Sequence, residues 1–325
     1  MENKKEKIAA VVVTYNRKHL LKECLDALLS QTRPLDSIIV IDNASTDGTP
    51  EFLKENGYLD NPKIDYVRLP ENTGGAGGFY EGVKRGYEKG YDWLWLMDDD
   101  AEPKKDALEI LTFYFKLKNV VGLASTVLSP EGDISIFCRG KIDFKKIFPL
   151  IQKPIDSRKY EQNIVEIDMA SFVGLLISRI AIEKIKFPKK EFFIYHDDVE
   201  YCIRLRREGK IFLIPKSIII HKEANKGEIE KNFLGKISKR KSFEKFWLVY
   251  YGIRNLTWLG KQYSENKLSF YFQMLKSMIR PIMGVILFDD HKIKRIHLIL
   301  AAYWAGLKGD FDNEKPKRIL YKTSK

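Results

Sequence analysis

Apolar positions fall into short unbroken runs separated by stretches of helical periodicity. Residues 8–13 are a continuous Ile/Ala/Val run bounded by charged and polar residues, which predicts a strand buried on both faces. After it Leu20, Leu21, Cys24, Leu25, Leu28 and Leu29 recur at helical spacing, and Pro34 closes the segment before a second strand over 37–41. The alternation continues with a helix over 47–56, a strand over 64–69, a helix over 79–87 and a strand over 93–97. Such alternation predicts a doubly wound α/β sheet with a Rossmann-like first half, whose ligands collect outside the carboxyl ends of the strands.

From 120 to 180 the pattern loosens into shorter strands, and 141–154, with its Lys, Phe and Pro residues, reads as an insertion. Helical spacing returns at Val199, Ile203 and Leu205, followed by strands over 211–214 and 217–220. Beyond His221 the chain reads as helices. Within 268–288 the polar Ser269, Gln273, Lys276, Ser277 and Arg280 leave Phe270, Tyr271, Leu275, Met278, Ile279 and Ile282 on other faces, a stripe interrupted near Pro281. A second apolar run, 296–307, follows Lys292, Lys294 and Arg295. No uninterrupted apolar stretch reaches the roughly 18 residues of a spanning helix.

Charge divides the chain in the same place. The net charge is +12, yet residues 1–221 carry 34 Lys+Arg and 34 Asp+Glu, while 222–325 carry 22 and 10. A neutral body (1–221) and a basic helical region (222–325) point to an anionic partner for the latter, either a phospholipid surface or nucleic acid. Cys24, Cys138 and Cys202 are odd in number and widely spaced, which suits neither a disulfide framework nor a CxxC metal site and predicts a reducing compartment. The first apolar run is too short for a signal segment, so a cytoplasmic location is expected.

Each group of candidate chemical residues falls at a strand end. Asp98-Asp99-Asp100 follow the run 93–97. Three adjacent carboxylates repel one another and suit a hard divalent cation such as Mg²⁺ or Mn²⁺, which in turn bridges diphosphate oxygens. The same residues also read as a solvated acidic turn capping a helix, since Pro103 follows. Asn72 to Gly78, with four glycines including Gly74, precede a helix and expose backbone N–H groups to phosphate, or form a plain flexible turn. Asp42-Asn43-Ala44-Ser45-Thr46-Asp47 offer side chains for a base or ribose, or start a helix. Asp197 and Asp198 open an amphipathic helix, where one is poised as a general base or both complement the helix dipole. His221 ends a strand, either packed or a metal ligand.

In this order the residues resemble inverting family-2 glycosyltransferases of the GT-A fold, the group that includes rhamnosyl- and galactofuranosyltransferases, over roughly 8–221. Val12 to Arg17 look like that family's first-strand donor motif and Ile39 to Asp47 like its second. The resemblance implies a GT-A-type mixed sheet, with Thr14, Asn16, Arg17, Asp42, Asn43, Asn72, Gly74, Asp98 and Asp99 around a nucleotide-diphosphate sugar. It further implies Asp98, Asp100 and His221 on Mn²⁺ or Mg²⁺, and Asp198 as base. Gly-Gly-Ala-Gly-Gly-Phe and Asp-Asp-x-Glu are most like galactofuranosyltransferases, so UDP-galactofuranose is the leading donor and dTDP-rhamnose the alternative. His196 stands where such enzymes often carry Trp.

A glycan or polyprenyl-diphosphate-linked acceptor is expected, with the protein peripheral on the inner face of the plasma membrane. Basic residues beside apolar faces in 268–307 suit an anionic leaflet, whereas the same helices also suit packing on the catalytic body or a dimer interface. A nucleotidyltransferase shares the Gly-rich and acidic features but has no need of Asp198. A nucleic-acid-binding module accounts for the basic region and not for the ordered acidic motifs, so no nucleic-acid partner is expected.

Overall fold

The computed structural model describes residues 6–222, 228–233 and 236–321. Ile8–Thr14 (β1) is buried at every position, as its apolar run over 8–13 requires. It is followed by α1 (Lys18–Leu29), β2 (Ser37–Asp42), α2 (Thr49–Glu55), β3 (Ile64–Arg68), α3 (Gly74–Glu88) and β4 (Trp93–Asp98). The four strands pair in parallel in the order β3-β2-β1-β4. Period-two alternation splits β1 between two cores. Ile8, Ala10 and Val12 pack with Leu21, Cys24, Leu25 and Leu28 of α1, whereas Ala9, Val11 and Val13 pack with Phe79 and Val83 of α3.

The chain continues through β5 (Ala101–Pro103), α4 (Ala107–Thr112), β6 (Val120–Leu128), β7 (Arg139–Ile142), β8 (Gln152–Pro154), β9 (Val165–Ile167), β10 (Met169–Ala170), β11 (Leu175–Ser178), α5 (Arg179–Ile185), α6 (Asp197–Glu208) and β12 (Lys210–His221). β11 is antiparallel to β4 and to β6, β12 runs parallel to β6, and β5 is antiparallel to the end of β12. The result is a mixed sheet in the order β3-β2-β1-β4-β11-β6-β12-β5. A separate three-stranded sheet has the order β10-β7-β8.

The glycine-rich segment is not a loop ahead of a helix: α3 begins at Gly74, so the glycines form its first turns. Gly78, Gly82 and Gly86 are four apart and face the sheet. A Cβ at these positions would collide with Val13 and Asn43, with Val11, and with Leu94 respectively. Helical spacing was concealed because glycine carries no hydrophobic signal. The two strands expected over 211–220 are one bulged strand, its register on β6 shifting between Ile214 and Ile218. The stretch from 120 holds the nine-residue β6 rather than only short strands.

Past His221 the helices are preceded by a hairpin, β13 (Glu228–Phe233) and β14 (Lys236–Lys241). Then come α7 (Trp247–Tyr263), α8 (Lys267–Phe288), α9 (Lys292–Lys308) and α10 (Lys315–Tyr321). α8 runs through Pro281 without a break. Proline in a helix interior costs about 3 kcal/mol, but Phe270 and Met274 before it and Val285 after it are buried at helical spacing, and this packing holds both halves in one helix. The chain divides into two compact units: Met1–Lys141, Lys153–Lys190 and Asp197–Glu223 form one, and Ile142–Gln152, Glu191–His196 and Ala224–Lys325 form the other. The excursion expected at 141–154 therefore groups mainly with the C-terminal helices.

Candidate active site

Parallel register sets the first residues of the site. Thr14 pairs with Asp42, and Val13 with Asp98, so three neighbouring strands end together in polar side chains. Asp42 is fully buried; its Oδ1 accepts from the Ser45 amide at 2.8 Å and its Oδ2 from the Tyr66 hydroxyl at 2.5 Å. Burial and the Asp42 charge raise the Tyr66 phenol well above its usual value, so it stays a donor.

Three asparagines tie the loops after β1, β2 and β3 together. Asn16, at φ 55°, accepts from the Thr46 amide at 2.6 Å. Asn43 accepts from the Thr73 hydroxyl at 2.9 Å and donates to the Gly74 carbonyl at 2.9 Å. The exposed Asn72 accepts from the Gly74 amide at 2.8 Å. These bonds fix the loop backbones outside the strand ends.

The three aspartates divide their work. Asp99 is buried, accepting from the Thr14 hydroxyl at 2.7 Å, and the Arg17 guanidinium lies 3.2 Å from it and 3.0 Å from Asp100. Burial pushes Asp99 up to about 7 against the pull of Arg17 and Thr14. For Asp100, burial alone would raise the pKa, but His221 and Arg17 outweigh it and hold the group below its ordinary value. Asp98 meets solvent on one side, its side chain being 41% accessible. Protein encloses it elsewhere, and desolvation with the neighbouring Asp100 charge pushes it up to about 6.

His221 is brought in by the antiparallel pairing of β12 with β5, which sets it opposite Ala101. Its Nε2 lies 2.9 Å from Asp100 Oδ1 and 3.9 Å from Asp98 Oδ2, and one ligand atom of each of the three residues lies within 4.8 Å of the others. Asp100 is buried at this contact, whereas Asp98 is open to solvent. Two carboxylates and an imidazole gathered this closely offer an O,O,N donor set, which suits Mn²⁺ or Mg²⁺.

Asp197 and Asp198 begin α6, and Asp198 Oδ1 accepts from the Val199 amide at 2.7 Å. Burial pushes Asp198 up to about 6, opposed by that amide and by Arg139. Asp197 is raised well above its usual value by burial and by Asp198. The Asp198 charge is among the causes that raise Asp98, so Asp198 and the Asp98, Asp100 and His221 group share one electrostatic environment.

Two residues that support the named side chains, Arg139 beside Asp198 and Tyr66 on Asp42, carry no legible sequence signal. Arg139 is fully buried, donating to the carbonyls of Ser125, Cys138 and Val173 and to the Ser171 hydroxyl. It lies in the stretch where periodicity fails. Tyr66 reads only as a strand residue. Arg204, in contrast, follows Glu200 by four residues, pairs with it at 2.7 Å, and anchors α6 to the carbonyls of Ile185 and Phe187.

The description "Glycosyl transferase family 2" matches residues 9–173. The chain is 30% identical over 217 residues to the galactofuranosyltransferase GlfT1 of Mycolicibacterium smegmatis, covering 64% of this chain and 68% of that protein. Among solved structures it is similar to the mannosyltransferase PcManGT of Pyrobaculum calidifontis in complex with GDP-Man and Mn²⁺, with a TM-score of 0.55 at 15% identity over 94% of this chain and 76% of that one. It is also similar to S. aureus TarS 1–349 in complex with UDP, with a TM-score of 0.55 at 13% identity over 96% and 90%. These likenesses carry the GT-A fold. The nucleotidyltransferase alternative falls with the family match, and the chain belongs to glycosyl transferase family 2, the nucleotide-sugar-dependent glycosyltransferases.

Proposed function

We propose that the protein transfers galactofuranose from UDP-galactofuranose to a hydroxyl of a glycan or polyprenyl-diphosphate-linked acceptor, with inversion at the anomeric carbon. The observation that carries the reaction type is the grouping of Asp98, Asp100 and His221 with Asp198 in one electrostatic environment. Asp98, Asp100 and His221 would hold Mn²⁺ or Mg²⁺. When bound, such an ion neutralises charge that builds on a departing diphosphate.

Asp198 accepts the proton of the acceptor hydroxyl. With its pKa pushed up to about 6, the carboxylate is ionised near neutral pH and still basic enough to take a proton in the transition state. One base acting opposite the leaving group gives a single displacement and therefore inversion, as in inverting glycosidases. Arg17, restrained by Asp99 and Asp100, adds positive charge for a diphosphate. Thr14, Asn16, Asp42, Asn43, Asn72 and Gly74 border the nucleotide, chiefly by fixing the loops against which it lies.

The relative named as a galactofuranosyltransferase supports the donor. The buried free thiols Cys24 and Cys202 support a cytoplasmic site of action. The test is a panel of UDP-galactofuranose, dTDP-rhamnose and UDP-galactopyranose with Mn²⁺, scored for donor turnover. Preference for UDP-galactofuranose is expected. Turnover of dTDP-rhamnose alone replaces the donor, and turnover of none overturns the reading.

A further inference from the structure

We propose that the outward face of α8 seats the protein on an anionic lipid bilayer, an inference independent of which sugar is transferred. This helix has two apolar faces. Phe270, Met274 and Val285 are buried. Leu268, Phe272, Leu275, Ile279, Met283 and Ile286 recur three or four residues apart on a separate face and stay exposed, the first four by 84, 70, 60 and 62%. At 1.5 Å per residue the stripe is about 27 Å long. Single exposed apolar side chains are ordinary, but six in one row mark an interaction surface.

The chemistry along the stripe selects its occupant. Lys276 and Arg280, one turn apart and both exposed, follow one edge of the apolar face. On α9, Trp304 is exposed with the Lys308 ammonium 5.0 Å from its ring centre, a pairing of apolar body and cationic head that suits a membrane–water boundary.

Residues 222–325 carry 22 Lys+Arg against 10 Asp+Glu. A second copy of the chain would set this excess against itself, whereas an anionic leaflet complements it. Among the described residues no helix is long and apolar enough to cross a membrane, so the face lies along the surface.

The test is flotation of the full chain with phosphatidylcholine vesicles and with vesicles in which about a third of the lipid is phosphatidylglycerol. Binding to the anionic vesicles alone, weakened by salt, is expected. The triple variant Phe272→Ser, Leu275→Ser, Ile279→Ser loses it, and Lys276→Glu with Arg280→Glu weakens it by at least roughly 25-fold, about fivefold per basic residue. Because every substituted side chain is exposed, thermal unfolding stays as in the wild type. Wild-type flotation by the triple variant overturns the proposal, as does equal binding to neutral vesicles. A concentration-dependent dimer that the triple variant abolishes, without flotation of the wild type, assigns the face to a second copy instead.

Discussion

At the residue scale, burial is what gives these carboxylates their chemistry. Asp198 is held up to about 6 by desolvation at a helix start, where amides and dipole would otherwise lower it. A base works only when deprotonated, so transfer rises with pH through about 6 and is lost below it. A pH–rate profile checks this, and an acid limb near the ordinary aspartate value contradicts it. The Thr14 hydroxyl gives the buried Asp99 one of its donors. Thr14→Val removes it at nearly constant shape and costs about 1–3 kcal/mol, read by denaturant unfolding. His221→Ala takes away one of three grouped ligand atoms. The Mn²⁺ concentration for half-maximal activity then rises about 10- to 100-fold, the range that follows even from disturbing groups behind the ligands, and an unchanged value returns His221 to a packing role.

At the element scale, α3 shows which signals a sequence carries and which it hides. β1, α1, β2 and β4 were legible because Ile, Val and Leu stand at strand or helix spacing. The start of α3 was hidden because its sheet-facing side is Gly78, Gly82 and Gly86, chosen for the absence of a side chain. The same run contains its own control. Gly82→Ala drives a methyl into Val11 and destabilises by about 1–3 kcal/mol. Gly75→Ala meets nothing within 4 Å and stabilises by up to about 1 kcal/mol through helix propensity. Thermal unfolding of the two variants separates packing from phosphate cradling as the reason for the glycines. Continuity of α8 through Pro281 was hidden for a different reason: local propensity stops the helix, and only tertiary packing of Phe270, Met274 and Val285 overrides it. The acidic motifs were legible as motifs, but not the pairing of β12 with β5 that brings His221 to Asp100. That pairing is non-local and leaves no periodic trace.

At the scale of the whole molecule, one short segment links the base candidate to the C-terminal helices through the chain itself. Phe193, Tyr195 and His196, just before Asp197, have φ of 65, 68 and 64°, a region non-glycine residues enter only when held there. The holder is α7. Asn255 donates to the carbonyls of Phe192, Ile194 and Tyr195 at 3.0, 3.0 and 2.8 Å, and the buried Arg254 donates to those of Glu191 and Phe192. Asn255→Ala therefore lowers the melting temperature and, well below it, lowers kcat while the donor Kd is kept. Unaltered kcat would mean that the segment keeps its shape without Asn255. The account as a whole turns on Asp198, because fold and family alone leave the reaction's base unassigned. Its most direct test is turnover of UDP-galactofuranose with acceptor by Asp198→Asn, alongside donor binding to the same variant. A fall in kcat of about 10²- to 10⁴-fold with donor affinity unchanged is expected; turnover near the wild-type rate contradicts the mechanism.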